Sequence, residues 1–142
     1  MKIGIASDHR GVILKEKIKN YLNDRYQIID YGTNSIESVD YPQYAYKIGE
    51  SVRDNKIDLG ILICGTGIGM SIACNKVKKV RCAKVTTKEE AFLARSHNNA
   101  NVIALSENIT NYKEIIDTFL TTDFSNEEKH IRRVEMIDNY DN

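Results

Sequence analysis

The chain has 142 residues, enough for one hydrophobic core, and its 42% hydrophobic and 28% charged content is ordinary for a globular protein. Twenty basic side chains balance twenty acidic ones, for a formal net charge of zero; broad binding to nucleic acid or a membrane surface needs a positive excess and is not expected. No apolar stretch nears the roughly 20 residues that span a bilayer. The start, Met1–Ala6, breaks at Ser7 and Asp8 and does not read as a signal peptide. Cys64, Cys74 and Cys82 form no C-x-x-C pair and are odd in number, so free thiols in a reducing cytoplasm are expected, without a structural zinc site.

In chain order, Ile3–Ala6 reads as a first strand. Val12, Ile13, Lys15, Ile18 and Leu22 recur at helical spacing and predict a helix over 11–23. Gln27–Asp30 is a second strand that ends at the turn Tyr31-Gly32-Thr33. Asp40-Tyr41-Pro42 signals a helix start, and the helix runs over 43–54 with Tyr44, Ala45, Ile48 and Val52 inward. Strands follow at 59–64, 80–85 and 101–105. Helices are expected at 70–77, 88–96, 111–121 and 127–138, the second of them opened by the capping sequence Thr86-Thr87-Lys88-Glu89-Glu90. No repeat, low-complexity tract or linker divides the chain, so one domain over 1–142 is expected. Strand–helix alternation implies α/β architecture: a doubly wound, three-layer αβα fold on a five-stranded parallel sheet, Rossmann-like, with strand one central. Ligands in such folds sit beyond the carboxyl ends of the strands.

The stretch Ile61-Leu62-Ile63-Cys64-Gly65-Thr66-Gly67-Ile68-Gly69 is the most specific feature. A buried strand runs into a glycine turn and then a helix, which gathers backbone N–H groups and a helix dipole around one point. A thiol stands at that point, and oriented N–H groups favour thiolates. The third glycine comes one position too early for G-x-G-x-x-G, and no Gly-Lys-Ser/Thr follows, so neither a dinucleotide fingerprint nor a Walker A loop is present. A lone glycine loop would be a packing turn; with the thiol it reads as an anion cradle. Cys74 and Cys82 lie inside a helix and a strand and read as packing residues. Asp8 has a structural reading as a helix cap and His9 as an exposed loop residue, but a carboxylate–imidazole pair at a strand end suits chemistry. His97, followed by Asn98 and Asn99, is a candidate proton donor and acceptor near neutral pH. Lys129, Arg132 and Arg133 share one helix face, which by pattern alone reads as a solvated charged face.

Taken together, Ser7-Asp8-His9-Arg10-Gly11, Asp30-Tyr31-Gly32-Thr33, Val39-Asp40-Tyr41-Pro42, Cys64 to Gly69, Ala73-Cys74-Asn75-Lys76, Ser96 to Val102 and His130-Ile131-Arg132-Arg133-Val134 resemble type B ribose-5-phosphate isomerase of the ribose/galactose isomerase superfamily. The motifs occur in the family's order and span nearly the whole chain. The resemblance implies aldose–ketose isomerisation of ribose 5-phosphate and ribulose 5-phosphate through an enediolate, with no metal and no cofactor. It implies a homodimer or dimer of dimers with interfacial active sites and a C-terminal helix packed on a partner subunit. By position, Cys64 would move the proton between C1 and C2, the N–H groups of Gly65, Thr66, Gly67, Ile68 and Gly69 would hold the enediolate oxygen, and Thr66 would position the sugar. His97 would open the furanose ring. Asp8 and His9 would contact sugar hydroxyls, Tyr41 and Asn98 would line the site, and Lys129, His130 and Arg133 would hold the phosphate. The chain departs from the family at Glu127-Glu128-Lys129-His130, where glycines and an arginine are usual: lysine keeps the charge but loses the bidentate fork. Arg10 and Cys74 stand where smaller residues are common.

Three rivals stand beside this reading. One is an isomerase of a hexose 6-phosphate such as galactose or allose 6-phosphate; the presence of both Cys64 and His97 in one chain argues for a self-sufficient enzyme. Another is a non-catalytic sugar-phosphate-binding module, which needs neither thiol nor imidazole. The third is a cysteine hydrolase using Cys64 and His97 as a dyad.

Overall fold

The computed structural model of the protein describes residues 1–141. Its strands are β1 (Lys2–Ser7), β2 (Gln27–Asp30), β3 (Leu59–Cys64), β4 (Cys82–Lys84) and β5 (Val102–Ser106). Its helices are α1 (Val12–Leu22), α2 (Pro42–Arg53), α3 (Ile68–Cys74), α4 (Lys88–Ser96), α5 (Tyr112–Thr121) and α6 (Glu128–Asn139), with a 3-10 turn at His9–Gly11 before α1. All strand pairs are parallel, in the order β2-β1-β3-β5-β4. The middle strand is therefore β3, and not strand one as expected; β1 lies beside it. Beyond β3 the strand order reverses direction, which opens a crevice at the carboxyl ends of β1 and β3.

Every residue of β3 is buried, as a strand covered on both faces requires. Its side chains alternate. Leu59, Ile61 and Ile63 join Ile3, Ile5, Ile18, Ile103, Leu105 and Phe119 in the core beneath α1, α4 and α5. Leu62 and Cys64 join Ala6, Ala45, Ile48, Met70, Cys74 and Ala104 beneath α2 and α3. Each fully buried aliphatic side chain adds about 1.5–3 kcal/mol. The three-layer architecture is as expected. Ile13, expected inward, is 69% exposed, and Leu14 takes the core position. No helix among the described residues is long and apolar enough to cross a membrane.

Two elements are shorter than their apolar runs. The helix expected over 70–77 starts at Ile68 and stops at Cys74, because Lys76 and Val77 donate to Ala73 O and Cys74 O three residues back, which closes turns. The strand expected over 80–85 keeps only Cys82–Lys84. Arg81 N–H is taken by Asn101 Oδ1 at 2.8 Å. On the outer side, Asn75 accepts from Cys82 N–H at 2.7 Å and donates to Cys82 O at 2.9 Å, so one side-chain amide pairs with the edge strand as a neighbouring strand would.

A buried ionic cluster ties α1 to the end of β2. Lys15, whose side chain is fully buried, reaches both Asp30 oxygens at 2.8 and 2.9 Å and Asn34 Oδ1 at 2.7 Å. Lys19 Nζ and Gly32 N–H each add a 2.8 Å bond to the same carboxylate. Burial alone would raise the Asp30 carboxyl, but the bonds from Lys15, Lys19 and Gly32 outweigh it and hold it below the ordinary range. A group lowered in the folded state stabilises above its unfolded pKa, about 3.9 for Asp, and that contribution is lost as pH falls through the lower folded value. Asp30→Asn leaves the Lys15 ammonium buried without its counter-charge. We predict a loss of about 3 kcal/mol in urea unfolding at pH 7, and a smaller gap between parent and variant below pH 4.

Candidate functional site

The site begins where β3 ends. Cys64, 5% exposed, faces the α2–α3 layer, and its Sγ accepts from Gly67 N–H at 3.2 Å. An ionised sulfur would strengthen that bond by charge assistance. Glu107 N–H donates to Cys64 O at 2.9 Å and Ser106 Oγ to Gly65 O at 2.8 Å, so β5 fixes the turn from beside it. Gly67 adopts φ +81°, and a Cβ there would stand 3.0 Å from the Leu105 carbonyl carbon, so the turn cannot close with a side chain at this position. Thr66 is exposed, with its Oγ1 accepting from Ile68 N–H at 3.2 Å. Gly69, in the first turn of α3, has N–H groups around it that lack helical acceptors.

The β1 end supplies the facing wall. Asp8 is buried, and its Oδ1 accepts from Arg10 N–H at 3.0 Å, so it does cap the 3-10 turn. His9 Nδ1 accepts from Val39 N–H at 3.2 Å. A backbone N–H only donates, so a neutral His9 carries its proton on Nε2. Arg10 lies over Gly65 and forks onto Glu107, with the shortest bond 2.7 Å. The hydrogen bond from Arg10 lowers the Glu107 carboxyl. Tyr41 packs its ring on Gly69, where a Cβ would come within 2.5 Å of it. Asp8, His9, Tyr41 and residues 64–69 thus converge at the carboxyl ends of β1 and β3.

The remaining candidates do not join them. His97 caps the C-terminus of α4 and precedes β5. In the β3–β5 ladder Gly60 faces Val102 and Cys64 faces Ser106. Val102 to Ser106 spans about 13 Å at the ordinary rise per residue, so within one chain His97 and Cys64 stand at opposite ends of the sheet. Asn98, Lys129 and Arg133 are exposed at the His97 end. His130 is buried there, its ring 4.3 Å from that of His97. A groove of about 1010 Å³ at the amino ends of the strands, lined by Arg53, Lys78, Arg81 and Arg95, contains neither Cys64 nor His97. The partners Glu107, Lys15 and Ser125, which hold Arg10, Asp30 and His130, were not visible as site residues in the sequence.

A parallel α/β sheet whose middle strand ends in a thiol that takes a backbone N–H, just before a helix start, suits small anionic substrates. The chain belongs to the ribose/galactose isomerase family, whose sequence model matches residues 3–137. It is 40% identical to ribose-5-phosphate isomerase B of Escherichia coli over 140 residues, 96% of this chain and 93% of that one. The structure resembles that of Clostridium thermocellum ribose-5-phosphate isomerase B, with TM-score 0.94 and 45% identity over 97% of this chain and 95% of the other. It also resembles Mycoplasma genitalium ribose-5-phosphate isomerase B with bound ribulose-5-phosphate, with TM-score 0.91 and 41% identity over 98% and 95%.

Gly69→Ala separates the site from the fold. Alanine in a helix gains up to about 1 kcal/mol over glycine, while the new methyl displaces the half-exposed Tyr41. We predict a thermal midpoint within a few degrees of the parent and a several-fold rise in KM for the sugar phosphate.

Proposed function

We infer that this chain interconverts ribose 5-phosphate and ribulose 5-phosphate, and that each active site is built from two copies of it. The aldose–ketose isomerase class follows from the family; the residue roles and the two-copy site are our reading. One observation supports them above all: the candidate residues fall into two groups, each complete in itself, at opposite ends of one sheet.

Ribose 5-phosphate closes a furanose through O4. His97 of one copy donates a proton to that oxygen as the C1–O4 bond breaks and the C1 hydroxyl gives its own proton to water, which frees the C1 aldehyde and acidifies the C2 hydrogen. The Cys64 thiolate of the other copy takes the C2 proton and returns it to C1, while the O2 hydroxyl proton passes to O1, which leaves the carbonyl at C2. The negative charge that develops on O1 falls among the N–H groups of residues 65–69, fixed in advance by the turn. His9 Nε2–H and Asp8 hold sugar hydroxyls, with Tyr41 and Asn98 lining the cleft. Lys129 and Arg133, for which no ion-pair partner is found among the described residues, receive the phosphate.

The apolar surface favours such pairing. Ile131, Met136 and Ile137 of α6 and Ile68 and Ile72 of α3 are all exposed, and α3 begins at the Cys64 turn. An α6 that packs on a partner would bury the first group and carry His97's surroundings toward the second. A homodimer is the smallest assembly that satisfies this; a dimer of dimers is compatible. Three free thiols fit a reducing cytoplasm.

Subunit complementation tests the reading. Cys64→Ala and His97→Asn homodimers should each be nearly inactive. After mixing and exchange, half of the dimers are mixed, and each has one intact site and one doubly altered one, so about a quarter of parental activity should return. No recovery after demonstrated exchange would place both residues in one chain's site. Cys64→Ala should also still bind ribulose 5-phosphate by calorimetry, as a simple binding module would, but lose turnover.

A further inference from the structure

The surroundings of His130 are more elaborate than contact with a phosphate requires. Its side chain is 7% exposed, and Nδ1 lies 2.7 Å from Ser125 Oγ and 3.1 Å from Glu127 Oε2. A carboxylate only accepts, so the proton on Nδ1 is the arrangement that satisfies Glu127. Ser125 is itself fixed from two sides: its N–H donates to Ser96 O at 2.9 Å, and its Oγ accepts from Glu127 N–H at 3.2 Å. Ser96 is the residue before His97. The ring held this way sits 4.3 Å from the His97 ring at an interplanar angle of 31°. Its neighbour His97 is exposed.

We propose that His130 is a positioning residue for ring opening, a fixed imidazole face packed behind His97 that sets the angle of that ring and leaves the proton to it. This rests on the reading of His97 as the group that opens the furanose. Two stacked imidazoles in one site do not both ionise readily. The groups facing His130 are His97 from α4 and Glu127, Lys129 and Arg133 from α6 and its approach. Burial, then the charge of His97, lowers the His130 pKa; Glu127 opposes them, and Lys129 and Arg133 add to the lowering. These groups together bias the His130 ring toward its neutral form. A neutral π-face beside a protonated His97 is attractive, whereas a second cation would not be.

Chemistry supplies a test that a merely structural role would not pass. Ribulose 5-phosphate has its C5 oxygen blocked and remains open-chain. Enediolate formation from the ketose therefore exchanges its C1 proton with solvent without any ring step. Net conversion to or from ribose 5-phosphate passes through ring opening or closure. The assay is C1 deuterium uptake by ribulose 5-phosphate in deuterated water, read by NMR, beside the isomerisation rate of the same full-length protein.

His130→Asn keeps a donor near the Nδ1 position but removes the ring face. We expect isomerisation to fall about tenfold, with exchange within about twofold of the parent. His130→Phe keeps a neutral aromatic face and should isomerise faster than His130→Asn. Parallel loss of exchange and isomerisation in His130→Asn, parental isomerisation in it, or no advantage of Phe over Asn would overturn the proposal. His97→Asn should show the same uncoupling more strongly. If His97→Asn loses exchange as fully as isomerisation, the ring-opening reading of His97 has failed. If only His130→Asn lacks the uncoupling, the failure is confined to His130.

Discussion

Parallel pairing of β3 with β5 is the constraint on which the rest depends. Its register sets Cys64 beside Ser106, so the last residue of β5 and Glu107 just after it supply two of the bonds that hold the glycine turn shut. The same register puts the start of β5, and with it His97, at the far end of the sheet. A parallel ladder offers no short way around this, because both strands run in one direction. One pairing thus shapes the thiol's cradle and separates it from the imidazole. In the two-copy site proposed above, a second molecule brings them together.

The wall opposite the thiol depends on a different interaction. Asp30 receives Lys15, Lys19 and Gly32 N–H, and Lys15 also reaches Asn34. This anchors the start of the long segment between β2 and α2. Farther along, Val39 donates to His9, and Tyr41 lies on Gly69. A segment of that length without secondary structure carries a large conformational freedom. Its two contacts with the crevice have meaning only if its root is fixed, and a buried charge cluster fixes it more specifically than apolar packing would.

Much of this was legible in the residues because each signal had a local cause. The apolar run before Cys64 and the glycines after it mark strand, turn and helix by backbone chemistry alone. Lys15 was visible at a core spacing of α1, although its buried partner was not: the sequence gives no distance from α1 to β2. The same limit applies to His130. Its proximity to Arg133 read as a phosphate contact, whereas the Ser125 hydroxyl and the α4 terminus, the latter distant in sequence, decide its surroundings. The order of the strands is hidden in the residues for a related reason. Hydrophobicity marks β1 and β3 alike, and only the crossovers determine which lies in the middle. The strand expected over 80–85 shrinks to Cys82–Lys84, since an apolar run does not record that Asn101 Oδ1 takes the Arg81 N–H or that the side-chain amide of Asn75 pairs with Cys82 at the free edge.

That amide has a consequence for how copies of this chain meet. An open sheet edge invites a second sheet to continue it, a route that leads as easily to disordered aggregates as to defined oligomers. Asn75 occupies both main-chain groups of Cys82, on a strand only three residues long. Sheet extension past β4 is thereby discouraged, and self-association is steered to the helical faces. There, side-chain shape rather than a repeating backbone ladder would select the geometry of the two-copy site proposed above.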